Sequence, residues 1–171
     1  MFHSRELLSF LLCAFLAPFT AAQEMHMAAR TTPAFDQLKA LVGQWEGTTQ
    51  DGKKAQVSYE LISGGSVLME RLSPGNEPGM ITMYSLESDR ILVTHYCSAG
   101  NQPTMQTAPS PAASGKLDFT FLRLAGAKSP DEAHMVGLTL SMPDKNRLVQ
   151  TWTFDDHGKA MTEVITLTRK S

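Results

Sequence analysis

The chain has 171 residues, of which 42% are hydrophobic and 19% charged, and its formal net charge at pH 7 is -2. This size and composition predict one domain with a full hydrophobic core. Lys and Arg are scattered along the chain, which excludes the basic stripe that a nucleic-acid partner requires, so no nucleic acid is expected.

The first 22 residues have the pattern of a secretory signal peptide. Arg5 precedes an apolar run from Leu7 to Phe19, and the small residues Ala21 and Ala22 follow it. The run is shorter than the about 20 residues that a helix needs to cross a bilayer, so no stable membrane anchor is expected. We therefore predict cleavage near Ala22 and a secreted or periplasmic bacterial protein.

Cysteine usage agrees with a fold that depends on packing alone. Removal of the signal takes Cys13 with it and leaves Cys97 as the single cysteine, which excludes an internal disulfide. The chain also carries no Asn-x-Ser/Thr sequon, so nothing supports a glycosylated secretory route.

A short helix is predicted after a flexible leader at residues 23–32. Phe35, Leu38 and Leu41 follow helical spacing between Pro33 and Val42. Thr32 suits the N-cap position and Pro33 the first turn.

From Gln44 onward the hydrophobic period changes to two, which is typical of half-buried strands. Turn signals such as Asp51-Gly52 separate the segments and leave no room for crossover helices. Because closure removes unpaired strand edges, we predict an all-β fold, an antiparallel up-and-down β-barrel of nine to ten strands over residues 33–171. The Pro/Ala/Ser-rich stretch from Gly100 to Gly115 is predicted to be a mobile loop. The strand candidates are GQWEGTTQ, VSYEL, SVLMERL, MITMYSL, RILVTHYC, KLDFTFL, MVGLTLSM, RLVQTWTF and AMTEVITLT.

The segment FDQLKALVGQWEG, with Gly43, Trp45 and Gly47, resembles the start of lipocalin-like (calycin) barrels, including the fatty-acid-binding and nitrobindin-like branches. In these barrels a short helix leads into a Gly-x-Trp strand. The whole sequence is similar to exported bacterial lipocalin-like proteins described as domains of unknown function. The nitrobindin-like branch implies a histidine haem ligand in the C-terminal half, where His134 and His157 lie.

The segment THYCSAGNQPTM carries the first candidate site. Alternation along its strand places Ile91, Val93, His95 and Cys97 on one face, which points inward in a barrel. Burial is expected to lower the pKa of His95 and to keep Cys97 protonated. Three interpretations stay open here: a nucleophilic pair, a satisfied core histidine beside a small buried thiol, and a histidine that orients a ligand.

Other strands contribute further candidates. His134 is expected to share the interior with His95, and Trp152 adds an aromatic wall. Glu163 shares a face with Met161, Ile165 and Leu167, so either it is an inward carboxylate or the inner face of this strand is the other one. Asn101 is expected to cap the cavity from the rim, with simple turn formation as the alternative. The predicted ligand-binding residues are His95, Tyr96, Cys97, Asn101, His134 and Trp152, with Tyr96 as a hydrogen-bonding residue at the rim.

These patterns favour a barrel that holds a small, largely apolar molecule, with no cofactor predicted. Abundant methionine suits an adaptable apolar cavity as well as an irregular core. The alternatives are an enzyme that uses His95 with Cys97 or Glu163, a haem- or metal-binding barrel, and a filled structural or interaction barrel.

Overall fold

The computed structural model describes residues 28–129 and 131–171, which form ten antiparallel strands and one short α-helix. The predicted signal peptide and the first half of the predicted leader, residues 23–27, lie outside the described residues. The elements are α1 (Pro33–Lys39), β1 (Gly43–Thr49), β2 (Lys54–Ile62), a 3₁₀ turn (Ser63–Gly65), β3 (Val67–Pro74), β4 (Met80–Glu87), β5 (Arg90–Tyr96), β6 (Gln102–Gln106), β7 (Lys116–Ala125), β8 (His134–Asp144), β9 (Arg147–Asp156) and β10 (Lys159–Arg169).

The strands close into a barrel, because β10 pairs with β1 after every strand has paired with its neighbours in sequence. The closing ladder runs from Trp45 opposite Arg169 to Thr49 opposite Ile165. Gly47 makes this seam feasible, since a Cβ at this position would lie 1.8 Å from the carbonyl oxygen of Thr166. The predicted all-β, up-and-down barrel is confirmed.

The helix α1 covers one end of the barrel, which we call the base. Thr32 caps it, and its hydroxyl accepts a hydrogen bond from the Phe35 amide at 3.2 Å. Phe35 and Leu38 are buried in the core. The indole of Trp45 donates to the carbonyl of Leu41 at 2.8 Å, which fixes the chain between the helix and β1.

Arg169 fastens the base from the last strand. Its guanidinium lies 4.3 Å from the centre of the Trp45 ring and donates to the carbonyls of Ala40 and Val42, each at 2.7 Å. The five connections from odd to even strands lie at the other end, which we call the open end. Within the described ranges, no helix is long and apolar enough to cross a membrane.

One strand, β6, lies inside the stretch that was predicted to be a mobile loop. Gln102–Gln106 pairs with β5 through Val93 opposite Met105 and with β7 through Thr104 opposite Arg123. The prediction was wrong here because the strand is short and contains Pro103, which lacks the amide hydrogen that a central strand donates. The burial of Met105 against the core explains why the segment is ordered as a strand.

Candidate ligand-binding site

A cavity of about 170 Å³ lies at the open end of the barrel. Apolar side chains from five strands form most of its wall, and charged side chains gather at its rim. The apolar lining consists of Leu72, Pro74, Met80, Met135, Trp152 and Ile165. The polar lining consists of Thr49 and His95 inside and of Asp51, Lys53, Glu77 and Glu163 at the rim.

The rim carries three carboxylates and one ammonium group. Lys53 lies with its Nζ 2.9 Å from Asp51 and 3.9 Å from Glu77. The Thr49 hydroxyl, which donates to Asp51, and then Lys53 lower the pKa of Asp51 to about 2. Burial, followed by the negative charges of Asp51 and Glu77, raises the pKa of Glu163. The rim therefore disfavours an organic anion.

His95 forms part of the cavity wall and is fully buried. Burial lowers the pKa of its imidazole to about 4, so the ring is neutral at pH 7. Its Nδ1 lies 2.9 Å from the hydroxyl of Thr82, while Nε2 has no hydrogen-bond partner among the described residues. Since Nδ1 is engaged, Nε2 is the ring nitrogen that remains without a partner among the described residues.

A buried carboxylate lies behind His95. Glu70, on β3, is fully buried, and its Oε2 accepts from the Tyr84 hydroxyl at 3.0 Å and from the Gln150 amide at 2.9 Å. The Thr82 hydroxyl lies 3.4 Å from Oε1. Burial raises the pKa of Glu70, and the hydrogen bonds from its neighbours oppose that rise.

Gln150 connects this carboxylate to the aromatic wall. Its Oε1 accepts from the Trp152 indole at 3.1 Å, and its Nε2 also donates to the Tyr59 hydroxyl at 2.7 Å. Burial, and then the neighbouring Glu70, raises the pKa of Tyr59 well above its ordinary value. The interior thus holds one continuous polar network that ends at the cavity.

Comparisons with known proteins show the fold of this chain. No family model matches the chain, and no curated protein does. A solved structure does match: a protein of unknown function from the DUF3598 family of Nostoc punctiforme, with a TM-score of 0.53 and 13% identity. The match covers 78% of this chain and 48% of that protein, so it spans about half of the neighbour's length. At this identity the likeness shows the barrel alone.

The structure brings two of the six predicted residues together at the cavity. The rings of His95 and Trp152 lie 4.7 Å apart, and both line the wall. Tyr96 lies on the outer face with 48% of its surface exposed. Cys97 is half-buried and packs against the core, but neither Cys97 nor Tyr96 contributes to the cavity wall.

Asn101 joins two connections at the open end rather than lining the cavity. Its buried amide nitrogen donates to the carboxylate of Glu132 and to the carbonyl of Ala133, each at 3.0 Å. The backbone carbonyl of Asn101 accepts from the Cys97 backbone amide at 3.1 Å. The residue therefore holds the β5–β6 connection against the β7–β8 connection.

His134 does not share the interior with His95, contrary to the expectation from alternation. The register of β8 shifts between Met135 and Gly137, so Met135 lines the cavity and His134 lies on the opposite side of the strand. The His134 ring packs against Phe121 at 4.9 Å, and its Nδ1 lies 2.6 Å from the carbonyl oxygen of Glu132. A bulge reverses alternation, which is why the pattern misplaced this residue.

The two pairings considered for an enzyme, His95 with Cys97 and His95 with Glu163, are not hydrogen-bonded. Nδ1 of His95 is engaged with Thr82 and not with Cys97. Glu163 faces inward, the first of the two alternatives, but it lies at the rim and makes no hydrogen bond to His95 within the part of the chain that the structure describes.

The interior does not fit haem. The cavity is far smaller than a macrocycle of four pyrrole rings requires, and neither His134 nor His157 lines it. Across residues 28–129 and 131–171, no group of three or more His, Cys, Asp or Glu side chains is placed to hold a metal ion.

Sequence reasoning missed the network behind His95. Glu70 shares a strand face with Leu68 and Leu72, and Tyr59 shares one with Val57. The period of two that located His95 therefore also marks these side chains as inward. The sequence signal for this network was a polar residue at an inward-facing strand position. Which of them contact one another depends on the barrel's curvature, which the sequence does not display.

Proposed function

We propose that this protein is an exported, lipocalin-like barrel that binds a small, largely apolar molecule in the cavity at its open end. The observation that carries the proposal is Nε2 of His95, a buried polar atom without a partner among the described residues, on a side chain that lines a largely apolar cavity. Buried polar groups in proteins are hydrogen-bonded in the large majority of cases, so a guest with one polar group completes this site.

The volume sets the size of the guest. Drug-sized ligands occupy pockets of about 300–1,000 Å³, whereas an apolar cavity of about 150 Å³ holds benzene. At about 170 Å³, this cavity accommodates a single ring or a short branched chain.

Burial of the guest supplies the binding energy. Enclosing about 150 Å² of apolar surface contributes about 4 kcal/mol at ~25 cal/mol per Å². With one hydrogen bond of about 1 kcal/mol, the dissociation constant falls between about 0.1 and 1 mM before entropic costs are counted. A protein with this affinity suits the transport or sensing of a metabolite present at a similar concentration, and not high-affinity storage.

The rim favours neutral or cationic guests. Asp51, Glu77 and Glu163 together outweigh the single charge of Lys53, so a carboxylate or phosphate approaching the cavity meets like charge.

Export belongs to the same proposal and rests on the N-terminal pattern. Arg5, the apolar run and the small residues at Ala21 and Ala22 support removal of residues 1–22 and delivery to the periplasm or the medium. Mass measurement of the mature protein from its own host tests this, and an intact N-terminus on the mature chain contradicts it.

The decisive experiment is native mass spectrometry of protein from its own host, compared between Met135→Trp and Leu122→Trp. Met135 lines the cavity, whereas Leu122 is 43% exposed on β7 and provides a matched addition of bulk outside. Because the expected dissociation constant lies near the millimolar range, the small-molecule extract of the host is added back in excess, and we expect a bound molecule smaller than about 15 heavy atoms in wild type and Leu122→Trp and its loss in Met135→Trp. Retention of that molecule in Met135→Trp, or its absence from wild type together with no small-molecule binding by NMR, rejects the proposal.

A further inference from the structure

Some groups inside the barrel can only donate a hydrogen bond, and they show in which direction their neighbours' hydrogen bonds run. The Trp152 indole only donates, so its acceptor, 3.1 Å away, must be the carbonyl oxygen of Gln150. The amide nitrogen of Gln150 therefore faces Glu70 and Tyr59. In this orientation Gln150 donates to both Glu70 and Tyr59.

Glu70 is surrounded by neutral donors. Its Oε2 accepts from Tyr84 and Gln150, its Oε1 lies 3.4 Å from the Thr82 hydroxyl, and the Tyr59 hydroxyl also hydrogen-bonds to the carboxylate. An ionised carboxylate satisfies these neighbours together, since it only accepts. No Lys or Arg among the described residues hydrogen-bonds to it, so these neutral donors carry its stabilisation.

Thr82 has one hydroxyl proton to give. When that proton is directed to Oε1 of Glu70, the Thr82 oxygen accepts from the other side, where Nδ1 of His95 lies 2.9 Å away. A neutral imidazole that carries its proton on Nδ1 has a lone pair on Nε2.

We infer that Glu70, acting through Thr82, keeps the His95 proton on Nδ1, so that the cavity presents Nε2 as a hydrogen-bond acceptor and selects a guest whose buried end is an O–H or N–H donor. This deepens the proposed function and rests on it. Glu70 and Thr82 are positioning residues, because neither lines the cavity.

The same geometry predicts how the arrangement reverses. A protonated Glu70 donates from Oε1, Thr82 then donates to Nδ1, and the His95 proton moves to Nε2. The polar and titratable groups around Glu70 are Tyr59 on β2, Thr82 and Tyr84 on β4, His95 on β5 and Gln150 on β9. The charged groups that face the cavity are Asp51, Lys53, Glu77 and Glu163.

Glu70→Gln reproduces the reversed arrangement at neutral pH. Tyr84 and Gln150 both donate to one oxygen, so the carboxamide must keep its oxygen there and turn its NH₂ group to Thr82. The hydroxyl of Thr82 is then free to donate to Nδ1. Glu60→Gln, on the exposed face of β2, removes the same charge without touching the network and is the matched control.

The test uses ¹⁵N chemical shifts of the histidine rings in ligand-free protein at pH 7. We expect His95 to have a protonated Nδ1 and an unprotonated Nε2 in wild type and in Glu60→Gln, and the opposite tautomer in Glu70→Gln. A protonated Nε2 in wild type overturns the inference even if Glu70→Gln does not fold. An unchanged tautomer in a folded Glu70→Gln also overturns it.

Two isosteric probes test the consequence for ligands. Pyrrole presents only an N–H donor and furan only a ring oxygen, so wild type is expected to bind pyrrole about tenfold more tightly, and Glu70→Gln to lose that preference. Equal binding of both probes by wild type contradicts the inference. Binding of neither probe counts against the proposed function, whereas the tautomer measurement judges the inference on its own.

Discussion

The rings of His95 and Trp152 lie 4.7 Å apart at an interplanar angle of 46°. His95 belongs to β5 and Trp152 to β9, so this contact crosses the barrel and forms the floor of the cavity. Each ring also ends one arm of the polar network, through Thr82 and Gln150 respectively. Changes at this contact are therefore expected to affect ligand binding and the network together.

Replacing His95 with Leu is expected to reduce binding of a donor guest about tenfold while changing the free energy of unfolding by less than about 1 kcal/mol. The substitution removes a buried atom without a partner but also takes the Thr82 hydroxyl's partner, and these effects oppose each other. Urea denaturation and probe titration measure the two quantities. A loss of stability above about 3 kcal/mol would assign His95 a structural role instead.

The pH dependence of stability follows from the lowered pKa of His95. The unfolded imidazole takes up a proton near pH 6.5, and the folded one only near pH 4. The unfolded state therefore binds more protons between these values, so stability falls as pH falls from about 6.5 to 4, by about 3 kcal/mol in total.

Glu70 acts with the opposite sign. Its folded pKa is raised, so the folded state binds more protons above pH 4.5, and its contribution to stability falls as pH rises through that range. The difference in unfolding free energy between wild type and His95→Leu, measured from pH 4 to 7, isolates the histidine. A pH-independent difference would contradict a neutral buried imidazole.

Replacing Glu70 with Ala is expected to destabilise the protein by about 3–5 kcal/mol. The change leaves the Tyr84 hydroxyl and an amide hydrogen of Gln150 without their acceptor in a fully buried position. Denaturation of Glu60→Ala, which lies on the exposed face of β2, is the reference and is expected to change by less than about 0.5 kcal/mol.

Replacing Arg169 with Ala is expected to lower stability by about 1–2 kcal/mol without altering ligand affinity. The guanidinium holds the carbonyls of Ala40 and Val42 and covers Trp45, all at the base. Because the cavity lies at the other end of the barrel, a change in probe affinity would contradict the separation of the two regions. Arg71→Ala, at an exposed position on β3, controls for the loss of positive charge.

The period-two pattern was sufficient to predict the barrel, because nine of its strands contain period-two stretches that are separated by turn residues. The same pattern correctly placed His95 and Trp152 on the inner face. It failed where the backbone departs from strict alternation. The bulge beside Gly137 moved His134 out of the interior, and Pro103 concealed a strand.

The network behind His95 was beyond the reach of single-strand reasoning for a different reason. Glu70 and Gln150 are 80 residues apart in sequence and meet only because the wall curves through a full circle. Alternation gives the face on which a side chain lies, whereas contact across an interior depends on height along the barrel axis. That height follows from the register of every ladder between the two strands.

The ladder between β5 and β6 has only three residue pairs, from Leu92 opposite Gln106 to Thr94 opposite Thr104. Few hydrogen bonds must break for these strands to part, so amide hydrogens of β6 are expected to exchange with solvent earlier than those of the long β9–β10 hairpin. Because Thr94 is adjacent to His95 on β5, we expect parting of these strands to expose the wall beside His95 and to give a guest a route that avoids the acidic rim.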